Sequence, residues 1–132
     1  VQGVAEALPF ADQAFDHALV VTTLCFVDSP AAMLAQISRV LRPGGTLVIG
    51  FIDRTSDLGR EYEAHQAGSV FYRDARFHSA ADVQELLHLA GFAISAWGQT
   101  LTRPITDIRE IEAVHPGHGK GAFAVVAARS RN

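Results

Sequence analysis

Along this chain short, almost wholly apolar runs take turns with stripes of apolar residues at helical spacing, the pattern of alternating strands and helices. His17-Ala18-Leu19-Val20-Val21 is the first such run and predicts a strand covered on both faces. Asp28-Ser29-Pro30 then starts a helix, with a capping side chain ahead of a proline at the first helical position. Met33, Leu34, Ile37, Val40 and Leu41 share one face of that helix. Arg42-Pro43-Gly44-Gly45 ends it, because proline cannot continue a helix and glycine permits the reversal. Residues 46–52 read as a second buried strand, and Leu58, Tyr62 and His65 predict a short helix behind Ser56. Ser79 and Asp82 predict a capping box for the stripe of Val83, Leu86, Leu87 and Ala90, with Gly91 at the left-handed position of the helix end. Residues 92–100 alternate as a strand, Ile94 and Ala96 on one side and Ser95 and Trp97 on the other. Thr106 caps a predicted short helix carrying Ile108 and Ile111, and residues 122–128 form a last strand. Strands separated by helices predict an α/β layered sheet with parallel neighbours joined by right-handed crossovers.

Composition narrows the function classes. The 132 residues are 48% hydrophobic and 19% charged, which fits one domain spanning residues 1–132 that forms a core without a disulfide or metal staple. Eleven basic against 14 acidic side chains leave a net charge of −3, and Arg73, Arg76 and Arg103 are scattered, so no track for nucleic acid is expected. No apolar run reaches the roughly 18–20 residues of a membrane helix, and no membrane partner is expected. Cys25 stands alone, which fits a small core residue and a reducing, cytoplasmic location. His115 and His118 lack further ligands at metal spacing and read as a surface loop, so no metal is expected. Gly44-Gly45 has no P-loop lysine after it and reads as a structural turn.

Two segments go further. Gly3-Val4-Ala5-Glu6-Ala7-Leu8-Pro9-Phe10, with Phe15-Asp16 leading into the first strand, is followed later by Arg39-Val40-Leu41-Arg42-Pro43-Gly44-Gly45-Thr46-Leu47-Val48-Ile49. In that order and spacing they resemble the class I S-adenosylmethionine-dependent methyltransferases that act on small molecules. Ala75-Arg76-Phe77-His78-Ser79 and Leu87-His88-Leu89-Ala90-Gly91-Phe92 resemble the last helix and following strand of the same family. The resemblance implies a partial Rossmann-like sheet made of the family's strands four to seven with flanking helices. The N-terminal half with its Gly-rich loop is expected to lie outside this chain, which would make it the C-terminal portion of the fold.

The resemblance also implies S-adenosylmethionine as methyl donor and a small-molecule acceptor. It places Val4, Ala5 and Glu6 along the adenine and Val21, Thr22 and Thr23 beside the methionine half, with Val4 limited to a backbone contact. Pro9 and Phe10 are expected scaffold. Asp53 and Arg54 follow the second strand where the family faces its substrate, and Tyr62, His65, Phe71, Tyr72 and His78 fall in a lid region; a solvated surface is the alternative for each. Methyl transfer needs mainly alignment of nucleophile, methyl and sulfur, so no nucleophilic Ser or Cys is required and no catalytic residue is assigned. A general base would come from His65 or His78. Asp16 is either a binding acid or a structural carboxylate at the strand's start. The strand at residues 17–21 would present an uncovered edge, which predicts self-association or pairing with an N-terminal segment. A non-catalytic remnant or oligomerising module is therefore the alternative function, while a dinucleotide-binding oxidoreductase is disfavoured for want of a fingerprint loop.

Overall fold

Ser29 and Ser79 do locally what their positions suggest. The computed structural model describes residues 1–131, apart from the Ile105 side chain. The Ser29 hydroxyl accepts from the Ala32 amide (3.1 Å) at the start of α1, Pro30–Val40. Ser79 and Asp82 exchange two 3.0 Å bonds as a capping box for α3, Ala80–Leu89, and Gly91 follows with φ +85°. Such a cap contributes about 1 kcal/mol. Ser56 starts the short α2, Asp57–Ala64, by accepting from the Gly59 amide. The strands are β1 (Phe15–Val21), β2 (Leu41–Ile52), β3 (Phe92–Thr100), a two-residue β4 (His115–Pro116) and β5 (Phe123–Ser130). Helix α1 passes into β2 at Leu41, with the Arg42-Pro43-Gly44-Gly45 turn held at the head of that strand and Gly44 at φ +77°.

The sheet order is β1-β2-β5-β3-β4. Only β1 and β2 are parallel neighbours; β5 runs antiparallel to both β2 and β3. The α/β sheet with flanking helices is as expected, and the expected parallel pairing of neighbours holds for β1 and β2, while β5 makes the sheet a mixed one. β1, β2 and β3 share a direction through helical connections, whereas the described residues of 101–122 hold only a 3₁₀ turn, Ile105–Asp107, and the two-residue β4, so β5 returns the other way. The helix expected after Thr106 is absent among the described residues. Ile111, fully exposed, has no face to bury.

Helices α1 and α3 pack on one face of the sheet. Ala18 and Val20, Leu47, Ile49 and Phe51, and Ala124, Val126 and Ala128 meet Met33, Leu34, Ile37, Val83 and Leu87 there in a single core. The opposite face carries Leu19 and Val21, 71% and 47% exposed, beside half-buried Val48, Ile52 and Val125. The expectation that residues 17–21 are covered on both faces is therefore corrected: both covering helices lie on one side. A register shift between Ile94 and Ala96 corrects the side-chain order of β3 as well. The bulge returns Trp97 to the core side, where it meets Phe51 edge-on at 6.2 Å, and leaves Ala96 exposed.

Candidate functional site at the carboxyl edge of the sheet

Parallel strands β1 and β2 end together at Val21 and Ile52, and pairing of Phe123 with both Ile52 and Thr100 brings the end of β3 to the same edge. Ligands of open α/β sheets bind along this edge. Thr22 leaves β1 with φ +50°, and its amide donates to Gly50 O (2.9 Å). The hydroxyls of Thr22 and Thr23 both donate to Val21 O, at 2.8 and 3.0 Å. Each oxygen thereby keeps lone pairs for a ligand that donates.

The Val4-Ala5-Glu6 segment is a tight turn, with the Ala7 amide on Val4 O (3.1 Å) and Val4 exposed. Glu6 Oε1 accepts from the amides of Asp28 (2.9 Å) and Ser29 (3.3 Å), holding the chain at the start of α1. Its own amide and those of Ser29 and Asp28 keep the Glu6 carboxyl below the ordinary range. Arg39 pins the rest of this loop, donating to Leu8 O, Phe10 O and Asp12. Between Ala5, Leu8 and Phe10 on this loop, His17 and Leu19 on β1 and Thr23 just after it runs an apolar groove of about 420 Å³. Asp16 takes the structural alternative: it pairs with Arg42 at 2.8 Å, and that guanidinium lowers its pKa.

Asp53 is fully buried and organises the turn after β2. Its Oδ1 accepts from the Thr55 amide (2.9 Å) and hydroxyl (2.6 Å), its amide donates to Ala122 O (2.8 Å), and its carbonyl accepts from the Ser56 hydroxyl (2.6 Å). Asp53 Oδ2 is buried with no partner among the described residues. Arg54 turns toward Asp82 at 3.8 Å. Across a short bridge from Asp53 stands His78, whose carbonyl accepts from the Arg54 amide (3.1 Å). His78 Nε2 is buried and unpartnered among the described residues, while the ring leans on the Leu24 carbonyl. Burial lowers the His78 pKa, so the ring is neutral at pH 7 with Nε2 as its free acceptor. Thr22, Cys25, Phe51, Tyr72 and His78 line a cavity of about 10 Å³, the scale of one water molecule.

Tyr72 roofs this cavity within an aromatic cluster, its ring 4.9 Å from Phe71, 5.6 Å from Tyr62, 5.8 Å from Phe77 and 6.1 Å from Phe26. Burial first, then Tyr62 and Cys25, raises the Tyr72 pKa, and burial likewise raises that of Cys25. The thiol therefore stays protonated, as a small core residue would. The structure brings Thr22, Tyr72 and His78 together with Tyr62 behind them. It leaves Val4 and Glu6 beside the groove, Arg54 on Asp82, and His65 at the end of α2 with Nδ1 on Glu61 O (2.9 Å). Cys25 and Phe51 join the cavity without a signal in the sequence beyond their places after β1 and within β2.

The residues present suit S-adenosylmethionine: the apolar groove accepts a flat ring, and the threonine lone pairs accept from an ammonium. Comparison with known proteins agrees. A family model described as a methyltransferase domain matches residues 1–49. A SAM-dependent methyltransferase of Thermotoga maritima is 45% identical, with a TM-score of 0.95 over 98% of this chain and 63% of its own length. An uncharacterized protein of Methanocaldococcus jannaschii is 42% identical over 93% of this chain and 60% of its own. An O-methyltransferase of Penicillium expansum is 37% identical over 78% of this chain and 34% of its own. The chain thus spans less than two thirds of each of these relatives. Among the described residues no helix is long and apolar enough to cross a membrane. With nearly its whole length superposed at that identity, the chain belongs to the class I S-adenosylmethionine-dependent methyltransferases.

Proposed function

We propose that this chain is the C-terminal portion, folded as one domain, of an enzyme that moves a methyl group from S-adenosylmethionine to a small-molecule acceptor, with His78 receiving the acceptor's proton. The single observation that carries this reading is the buried, unpartnered Nε2 of a neutral histidine at the carboxyl edge. S-adenosylmethionine supplies a methyl group already activated on its sulfonium. The protein's share is to hold the two molecules in line and to take up one proton. In this reading backbone groups of Val4 and Ala5, with Glu6 behind them, border the adenine, and Val21, Thr22 and Thr23 border the amino-acid end. Asp53 sets the turn on which Arg54 stands and against which His78 pairs, while Tyr62, His65 and Tyr72 form the acceptor side. The Thermotoga maritima relative is named a possible histamine N-methyltransferase and the Penicillium expansum relative an O-methyltransferase. A neutral imidazole serves either a protonated amine or a hydroxyl. The lone Cys25 supports a cytoplasmic location.

Calorimetric titration of the chain with S-adenosylmethionine and S-adenosylhomocysteine tests this. One-site, saturable binding of both is expected, retained in His78→Gln. Absence of binding to either would overturn the reading and favour a second one, a non-catalytic module that pairs through β1. That second reading is supported by the free outer edge of β1 and by exposed Leu19 and Val21. Equilibrium sedimentation of the chain would show a concentration-dependent dimer if it holds and a constant monomer mass if it fails.

A further inference from the structure

We propose that the turn at residues 117–121, together with Arg60, is a subsite for an oxyanion, a carboxylate or phosphate carried by the methyl acceptor. This rests on the methyltransferase reading for the identity of the ligand but on separate residues for the site. Thr55, Arg60, Gln99, Thr102, His118 and Lys120 border a cleft of about 860 Å³. It opens on the edge where β2 and β3 end, the edge that holds His78.

The turn is built and held from below. Gln99 is buried on the core side of β3, and its Oε1 accepts from the amides of Lys120 and Gly121, both at 2.9 Å. Its Nε2 donates to Pro116 O at 3.0 Å, so a buried side chain spends three bonds on one turn. Gly121 permits the turn to lie against β3, since an added Cβ would stand 2.3 Å from Thr100 O. Gly117 and Gly119 take φ +86° and +101°, with His118 between them and Lys120 after them on the negative side. Alternation of that kind turns successive amides toward one concavity, the backbone arrangement that receives anions. The amides of His118 and Gly119 meet no protein acceptor among the described residues. The His118 ring rests on Trp97 at 4.7 Å, which holds that side of the turn.

Charge points the same way. Lys120 makes no ion pair among the described residues, and Arg60 faces only Asp57, at 3.7 Å with both side chains exposed. Glu112, the other nearby acid, is already engaged by Thr102. The Asp53 amide donates to Ala122 O on the β5 side and the Arg54 amide to His78 O on the other, so three strand spacings, about 14 Å, separate His78 from β3. The anion of the acceptor would therefore sit at the far end of the acceptor from the proton that His78 takes up.

The test is an amide chemical-shift titration of the isotope-labelled chain with inorganic phosphate, with acetate and with neutral acetamide. The expected result is saturable shifts at His118 and Gly119 with phosphate or acetate and none with acetamide. Saturation by phosphate alone assigns a phosphate ester, and by acetate alone a carboxylate. Affinity should fall at least tenfold in Arg60→Ala/Lys120→Ala, whose exposed side chains leave the core intact. Shifts that do not saturate, that acetamide reproduces, or that the double variant leaves unchanged would overturn the subsite. S-adenosylmethionine binding, measured separately, distinguishes the two failures: cofactor binding without anion binding removes the subsite alone. Anion binding without cofactor binding removes the methyltransferase reading alone.

Discussion

Alternate side chains of the same strands meet opposite fates. Ala18, Val20, Leu47, Ile49, Val126 and Ala128 look toward α1 and α3 and, Ala18 excepted, are buried. Leu19, Val21, Val48, Val125 and Ala127 look the other way, where Leu19 is 71% exposed. The two faces are almost equally apolar, so the difference lies in which side the helices take rather than in the strands. An apolar sheet face that shares an edge with an unpaired strand is a surface prepared for covering. That is why the chain supports both a catalytic and an oligomerising reading: the same uncovered face bears on each.

Truncation separates the faces most sharply. Leu47→Ala removes a fully buried side chain from the covered face and should cost about 2–5 kcal/mol in urea unfolding. Leu19→Ala on the open face should change stability by no more than about 0.5 kcal/mol at low protein concentration. Equal costs at both positions would break the comparison and mean that something covers Leu19. A Leu19 cost that grows with protein concentration would sharpen it, by identifying that cover as a second copy.

Features written within a few residues of each other were legible in the sequence. The capping box of Ser79 and Asp82 and the proline after Ser29 rest on contacts of that reach. What the sequence did not disclose depends on distant partners. The Glu6 carboxylate lies on the amides of Asp28 and Ser29, the bulge after Ile94 answers to β5, and β5 reverses because its connection holds no helix. Within the site, Thr22 and His78 stood among the candidates, yet only the bridge from Asp53 to His78 brings them to one cavity. Gln99 reads locally as one more strand residue, and its work is done on a turn much later in the chain.

The smallest effect lies where the covered face runs out, at His78 beside Phe51. Burial lowers the His78 pKa; Asp82 opposes that shift and Arg54 adds to it. The folded chain therefore binds fewer protons than the unfolded chain between the lowered pKa and the ordinary histidine value near 6.5. Stability then rises with pH through that window: it is complete above about pH 6.5 and declines as the solution is acidified below it. The carboxylates with lowered pKa values, Asp82 among them, act in the opposite protonation range and lose their contribution only at more acidic pH. His78→Gln keeps a polar side chain in place and removes the titration, so the pH dependence of the urea midpoint just below about pH 6.5 should flatten. An unchanged slope in that variant would mean that His78 is solvated in the folded chain. The cavity under Tyr72 would then be open to water, and the ring could not be held neutral by burial for a proton it is meant to receive.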